Sequence, residues 1–204
     1  MTLSRCRIIG LTGQSGSGKS TVARCFEKHD CKVVNADLLV RKIYDSNSPC
    51  LRTISSVFGA DVINSDGTPD RKILAQRAFS SAENTEMLSR IVHPFVMAEF
   101  LCEVKKVVSE GVNTVIYDAP QLFESNAQVI CDAVISVVAD REIRINRICK
   151  RDNITEEQAE LRINAQLSEE FFRKNSDYII ENNDSVEKLE KQAENLIKNV
   201  INKR

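Results

Sequence analysis

The sequence predicts an α/β fold, in which a five-stranded parallel sheet is flanked by helices. Short apolar runs rich in β-branched residues recur along the chain, and stretches with the apolar spacing of helices separate them. Nearly continuous apolar runs are typical of parallel strands that are buried on both faces. Binding sites of such sheets lie at the carboxyl ends of the strands, so the residues that follow each run are the first candidates for chemistry.

The apolar runs define the predicted strands and their neighbouring helices. The predicted strands cover residues 8–12, 33–37, 114–117, 133–138 and 178–180. A helix is predicted for residues 20–29, where apolar side chains recur at helical spacing. Another is predicted for residues 185–201, and we expect its apolar stripe to pack on the sheet. The stripe consists of Val186, Leu189, Ala193, Leu196, Ile197 and Val200.

Composition and charge exclude several classes of protein. The chain has 28 Lys and Arg against 29 Asp and Glu, so it lacks the basic surplus of a nucleic-acid-binding protein. No apolar run reaches the ~20 residues that span a bilayer, so no membrane partner is expected. The seven cysteines form no C-x-x-C pair, which predicts reduced thiols in a cytoplasmic protein. We expect a monomer or weak homo-oligomer that acts on a small molecule.

A glycine-rich motif carries the strongest functional signal. Residues 13–20 read GQSGSGKS and match G-x-x-x-x-G-K-[ST], the phosphate-binding loop or P-loop. Its glycines let backbone N–H groups turn toward phosphate oxygens, and the helix that follows adds the positive end of its dipole. Lys19 supplies charge to the β- and γ-phosphates, and the Ser20 hydroxyl is a ligand for Mg²⁺. The residues predicted to bind ATP are Gly13, Gln14, Ser15, Gly16, Ser17, Gly18, Lys19, Ser20 and Thr21.

Two long inserts interrupt the alternation of strands and helices. They leave a core of residues 1–37, 112–140 and 176–204, which carries the P-loop. Residues 38–111 are predicted to be a helical insert, with turns at residues 47–49 and 64–69 and with Pro94 at the first position of a helix. The second insert, residues 141–175, is highly charged.

Two aspartates follow predicted strands. Asp37 ends the second strand, where a carboxylate is placed to accept the proton of an acceptor hydroxyl, as the bases of kinases do. Asp118 ends the third strand and has the placement of a carboxylate that orients Mg²⁺ or its waters. Both have a structural alternative, because aspartate is also a common cap at such chain positions. Spacing alone leaves both alternatives open.

The charged insert and one histidine supply further candidates. Arg147 and Arg151 are four residues apart and so share a helix face. Guanidinium groups on a movable segment can neutralise charge on a transferring phosphoryl group and exclude water on closure. The alternative is a solvated face with Glu142 and Asp152 as counter-charges. His93 is likewise either a site residue or a capping or core histidine.

Taken together, these motifs resemble those of the dephospho-coenzyme A kinase family over almost the whole chain. The segments that carry the resemblance are LTG at 11–13, GSGKST at 16–21, AD at 36–37, SP at 48–49, FG at 58–59, DG at 66–67 with Arg71, HP at 93–94, DAPQLFE at 118–124, Arg147 with RD at 151–152, RINAQ at 162–166 and SDYIIEN at 176–182. The family implies transfer of the ATP γ-phosphate to the ribose 3′-hydroxyl of dephospho-coenzyme A. It also implies a P-loop kinase core, a helical insert that binds the acceptor and a mobile lid, which agree with the two inserts.

The resemblance also implies roles for single residues. The residues implied in catalysis are Asp37 as general base with Lys19, Arg147 and Arg151. The acceptor site would be shaped by Asp37, His93, Pro120, Leu122 and Glu124, and Mg²⁺ would be held by Ser20 and Asp118. Transfer would be in line, without a phosphoenzyme. Two departures are Asn35, where family members commonly have Asp, and Gln121, where Leu is usual.

Two other functions compete with this interpretation. A nucleoside monophosphate kinase or another small-molecule P-loop kinase would have the same core, and the helical insert decides between them. The His93-Pro94 and Asp66-Gly67 pairs of the insert favour dephospho-coenzyme A as the acceptor. A nucleotide-dependent switch is disfavoured, because the core has no N-K-x-D guanine motif and the chain has no L-S-G-G-Q stretch.

Overall fold

The computed structural model describes residues 6–46 and 48–201, with only the backbone of residues 200 and 201. The predicted turn position Asn47 and the Val200 side chain therefore lie outside the described residues. The strands are β1 Arg7–Gly13, β2 Lys32–Asn35, β3 Thr114–Asp118, β4 Ala133–Val138 and β5 Tyr178–Glu181. They form one sheet in the order β2-β3-β1-β4-β5, and β1 pairs in parallel with both of its neighbours. The predicted fold class is confirmed.

The helices fill the connections between strands. Within the described residues they are α1 Lys19–Glu27, α2 Ala36–Ile43, α3 Pro49–Phe58, α4 Arg71–Ala78, α5 Ala82–Ser109, α6 Arg141–Asp152, α7 Glu156–Asn164, α8 Glu169–Asn175 and α9 Val186–Leu196. None of these helices has both the length and the apolar character needed to span a membrane.

The chain divides into two compact units. One consists of Met1–Val34 and Val107–Arg204, and the other of Asn35–Lys106. The segment predicted as a lid, residues 141–175, forms α6, α7 and α8 within the first unit. The Phe172 ring of α8 is 2% exposed and lies edge-on to Phe123, with 5.8 Å between ring centroids. The domain boundaries and the mobility of the lid stay predictions.

The core of the first unit surrounds the central strand. Ile9 and Leu11 of β1 are fully buried, as a strand covered on both faces requires. Residues of α1 and α9 share one apolar cluster with the sheet, and Leu189, Ala193 and Ile197 of the predicted stripe belong to it. Val186, the first residue of the stripe, is instead exposed. The terminal helix therefore packs on the sheet as predicted.

The second strand ends earlier than predicted. β2 ends at Asn35, because the side chain of Asn35 caps α2 by accepting the backbone N–H of Leu38 at 3.1 Å. Asp37 lies inside the first turn of α2, so it neither ends the strand nor caps the helix. Asparagine and aspartate cap helices about equally well. The departure from the family at position 35 therefore preserves the local structure.

The prediction that Pro94 begins a helix is wrong. Helix α5 runs for 28 residues and contains Pro94 in its interior. An interior proline removes one hydrogen bond and costs about 3 kcal/mol. Ile91 and Val92 before it, and Val96 and Phe100 after it, are all buried. Burial on both sides of the proline outweighs the lost hydrogen bond, which a local helix-start signal does not show.

Candidate active site

The P-loop connects the end of β1 to the start of α1. Gly13, Gly16 and Gly18 have φ angles of 149°, 78° and 97°, which residues other than glycine rarely adopt. No side chain caps the N-terminus of α1. The first N–H groups of a helix need acceptors, and phosphate oxygens are suited to that place. The predicted phosphate cradle is therefore compatible with a bound nucleotide.

The loop glycines are also required by what lies behind the loop. A Cβ at Gly13 would collide with the carbonyl oxygen of Val137, its register partner in β4. A Cβ at Gly16 would stand 2.8 Å from the backbone oxygen of Arg144 in α6. A Cβ at Gly18 would collide with the side-chain amide of Asn182. Close packing of β4, α6 and the segment after β5 thus fixes the loop from outside.

Replacing Gly13 by alanine is expected to lower the free energy of unfolding by about 3 kcal/mol, because it combines a strained φ with a backbone collision. Gly111 is a matched control: its φ is 86°, but a Cβ there would meet nothing within 4 Å. Gly111→Ala is expected to cost only about 1 kcal/mol. Urea unfolding of both variants measures the difference, and equal losses would show that the approach of Val137 is unimportant.

Lys19 and Asp118 form an ion pair beside the loop. Lys19 is the first residue of α1 and Asp118 the last residue of β3. The Lys19 ammonium donates to Asp118 Oδ1, and the two side chains are 14% and 5% exposed. No helix begins directly after Asp118. A cation and a carboxylate therefore meet at the carboxyl end of the central strands.

Side chains from the C-terminal part of the chain hold three successive carbonyl groups of the P-loop. Arg144 Nε donates to the carbonyl oxygen of Ser15 at 3.0 Å, and Arg147 Nη1 donates to that of Gly16 at 3.3 Å. Asn182 Nδ2 donates to that of Ser17 at 2.7 Å. Gln166 Oε1 in turn accepts the N–H of Ser15 at 3.0 Å.

Of these side chains, Arg147 alone was assigned a role before. Gln166 and Asn182 end two of the segments that carry the family resemblance, which was the available signal. Arg144 belongs to α6, in the charged insert. It is 3% exposed, and burial lowers the pKa of its guanidinium from the usual value. These contacts indicate that α6 and the segment after β5 form the outer wall of the P-loop.

Arg147 and Arg151 have different surroundings although they share a helix. Arg147 also donates to Asn182 Oδ1 at 3.3 Å, on the outer side of the P-loop. Arg151 makes two hydrogen bonds to the adjacent Asp152, which also accepts from Arg162. The bonds from Arg151 and Arg162 hold the pKa of Asp152 at about 2. The structure thus brings Arg147 to the P-loop. Arg151 instead pairs with Asp152, as expected if it belongs to a solvated charged face.

Asp37 lines a cavity of about 300 Å³ in the second unit. Two arginines, Arg41 and Arg71, line the same cavity. The remaining wall is mostly apolar and consists of Val40, Tyr44, Leu74, Ala75, Phe79 and Leu88. This combination of one carboxylate, two cations and an apolar wall suits an anionic organic molecule that carries a hydroxyl group.

The other residues predicted for the acceptor site are divided between the two units. His93 is in α5 of the second unit, half-buried, and burial lowers its pKa so that the imidazole is neutral near pH 7. Pro120 accepts a hydrogen bond from the Thr12 hydroxyl at 3.2 Å through its carbonyl. Leu122 is fully buried against Gly10, so its side chain belongs to the core. Glu124 is exposed on the first unit.

Comparison with known proteins assigns the chain to a family. The family model described as dephospho-CoA kinase matches residues 7–188. A dephospho-CoA kinase of Corynebacterium diphtheriae is 39% identical over 190 residues, which are 93% of this chain and 95% of the relative. Among solved structures, a dephospho-CoA kinase from Campylobacter jejuni has a TM-score of 0.70 at 27% identity, and covers 95% of this chain and 96% of its own.

A second solved structure has a higher structural score. A protein from Thermus thermophilus, TT1252, has a TM-score of 0.81 at 28% identity and covers 96% of this chain and 98% of its own. Shikimate kinase from Acinetobacter baumannii has a TM-score of 0.53 at 14% identity, which shows a shared fold alone. The sequence match extends over both units and includes the P-loop, Asp37 and Asp118. The chain therefore belongs to the dephospho-CoA kinase family, whose members are ATP-dependent kinases that phosphorylate a hydroxyl group.

Proposed function

We propose that this protein transfers the γ-phosphate of ATP to the ribose 3′-hydroxyl of dephospho-coenzyme A. The observation that carries the proposal is the cavity lined by Asp37, Arg41 and Arg71, in a chain whose family match spans both units. Dephospho-coenzyme A carries a diphosphate between a nucleoside and an uncharged pantetheine arm. Guanidinium groups bind diphosphate oxygens well, and the apolar wall suits the uncharged parts of such a molecule.

The P-loop would hold ATP. Its backbone N–H groups and the N-terminus of α1 would bind phosphate oxygens, and Lys19 would balance their charge. The described residues contain no group of three or more His, Cys, Asp or Glu side chains that could hold a metal ion. Mg²⁺ suits such a site, because it binds through one or two protein oxygens together with substrate phosphates and water. Ser20 and Asp118 provide those oxygens, and the ion would neutralise phosphate charge.

Asp37 would act as the general base. It is exposed in the first turn of α2, and an aspartate carboxylate can accept a proton from a hydroxyl group. The acceptor hydroxyl becomes a better oxygen nucleophile as its proton passes to this carboxylate. His93 and Glu124 would shape the acceptor site, and Arg147 and Arg151 would act from the lid, as the family resemblance implies.

The proposal includes the setting in which the enzyme works. All seven cysteines are free thiols, which supports a reducing compartment such as the cytoplasm. The near-zero formal charge of −1 supports a small-molecule substrate and argues against nucleic acid. A monomer or weak homo-oligomer is the proposed state in solution.

The direct test is an assay of the purified protein with Mg-ATP and dephospho-coenzyme A. We expect coenzyme A and ADP in equal amounts, resolved by chromatography and mass spectrometry. AMP and CMP serve as competing acceptors, and the Lys19→Ala variant, purified in parallel, controls for contaminating kinases. Product from a nucleoside monophosphate but none from dephospho-coenzyme A would overturn the proposal.

A further inference from the structure

The Asn182 amide lies directly behind the P-loop and is 5% exposed. It belongs to neither the P-loop nor the lid, since it follows β5 in the chain. Its Nδ2 donates to the carbonyl oxygen of Ser17 at 2.7 Å in a buried hydrogen bond. Its Oδ1 accepts from Arg147, whose guanidinium also holds the carbonyl of Gly16. One side chain thus connects, directly or through Arg147, to two successive peptide groups of the loop.

The contact with Ser17 determines where the next N–H group points. The carbonyl of Ser17 and the N–H of Gly18 belong to one planar peptide group, and no peptide bond of the described residues is cis. In a trans peptide the C=O and N–H bonds point in opposite directions. Drawing the Ser17 oxygen outward therefore turns the Gly18 N–H toward the inner side of the loop, where phosphate binds.

Asn182 is itself held in place. Its backbone N–H donates to the carbonyl oxygen of Val138, the last residue of β4, at 2.9 Å. Its amide nitrogen occupies the space that a Cβ of Gly18 would need, so the loop and the amide are in close contact. Movement of either group would break the bond to Ser17 or press Asn182 against Gly18.

We propose that Asn182 is a positioning residue for the nucleotide, which orients the Gly18 N–H by holding the Ser17 carbonyl. The inference rests on the proposed function, because it takes ATP as the ligand of the P-loop. It predicts that loss of the Asn182 side chain weakens the binding of ATP, including its γ-phosphate, and leaves the binding of the acceptor unchanged. A residue that only stabilises the fold has no such selectivity.

Two variants test this role. Asn182→Ala removes both side-chain hydrogen bonds and is expected to weaken ATP binding about tenfold, because a buried carbonyl loses its donor and the peptide is free to turn. Asn182→Asp keeps the shape of the side chain and the acceptor for Arg147, but it has an oxygen where the Nδ2 donor stood. The carboxylate is expected to weaken ATP binding at least as much as alanine does.

The readout is ATP binding measured by calorimetry without acceptor, together with KM for ATP, KM for dephospho-coenzyme A and the thermal midpoint. We expect KM for ATP to rise about tenfold in both variants and KM for dephospho-coenzyme A to stay at the wild-type value. The Asp variant keeps the test available if the Ala variant does not fold.

Ser185→Ala is the matched control in the same segment. Ser185 caps α9 by accepting the N–H of Lys188 at 3.4 Å, so its loss lowers stability without touching the P-loop. We expect a lower thermal midpoint and unchanged affinity for ATP. The same pattern in Asn182→Ala and Asn182→Asp would overturn the inference, since Asn182 would then be only structural.

The binding measurement separates this inference from the proposed function. If the wild type binds ATP but does not phosphorylate dephospho-coenzyme A, the proposed acceptor is wrong and the variants still decide the role of Asn182. If the wild type does not bind ATP at all, the role of Asn182 is overturned with it.

Discussion

Asparagine in place of Asp37 is expected to reduce kcat with dephospho-coenzyme A about a thousandfold, in the range that general bases contribute. The amide has nearly the same shape as the carboxylate but cannot accept the proton of the acceptor hydroxyl. Steady-state kinetics with saturating Mg-ATP measures the loss. The affinity for ATP, measured by calorimetry, is expected to stay within twofold of the wild type.

The structure limits what else this substitution can change. Asp37 is exposed in the first turn of α2, and the helix keeps its cap at Asn35. Loss of one negative charge in a first helical turn costs about 0.3–1 kcal/mol, which is too little to unfold the protein. A collapse of kcat with a normal thermal midpoint therefore reports on chemistry.

Asn35→Asp is the matched control for Asp37→Asn. It makes the reverse exchange of amide and carboxylate two residues away and keeps the helix cap. We expect its kcat to equal that of the wild type. If Asp37→Asn also retains wild-type kcat, another group accepts the proton and Asp37 has no catalytic role.

Local sequence patterns predicted the parts of the site that depend on neighbouring residues. The P-loop, the strand before it and the strand-end position of Asp118 all follow from short-range spacing, and the structure has each of them. The end of β2 was misplaced because Asn35 competes with the strand by capping α2. Pro94 was misplaced because distant packing sustains a helix through it.

The contacts that form the outer wall of the P-loop could not be predicted from local sequence patterns, for a different reason. The bonds from Arg144 to Ser15 and from Asn182 to Ser17 join residues 129 and 165 positions apart. Such contacts are set by the order of strands in the sheet, which brings the segments after β4 and β5 beside the loop. In the sequence, Arg144 looks like any charged residue of a polar helix and Asn182 like a turn residue.

Lys19→Ala is expected to weaken ATP binding about a hundredfold, and to lower kcat as well, because two electrostatic effects add. The first is loss of the cation that faces the phosphates, since opposite charges a few ångströms apart attract one another at the dielectric of a protein surface. The second is exposure of ATP to the Asp118 carboxylate, which the Lys19 ammonium neutralises in the wild type.

A double variant separates these two effects. Lys19→Ala with Asp118→Asn removes the carboxylate together with its counter-charge, so it is expected to bind ATP about tenfold better than Lys19→Ala alone. Binding is measured in EDTA, so that a role of Asp118 in holding Mg²⁺ does not enter. Turnover is expected to stay low, because the double variant restores neither the cation that faces the phosphates nor the carboxylate that would hold the metal.

Lys42→Ala is the matched control for loss of a lysine ion pair. Lys42 pairs with Glu99 and Glu103 in the second unit, which does not contain the P-loop, and its side chain is 50% exposed. We expect its ATP affinity to equal that of the wild type, because exposed pairs contribute little and the P-loop is unchanged.

If the double variant binds ATP no better than Lys19→Ala, Asp118 does not repel the phosphates, and loss of the Lys19 charge accounts for the whole effect. If it binds better, Lys19 has two separable tasks. It attracts the phosphates, and it neutralises the Asp118 carboxylate, which would otherwise repel them.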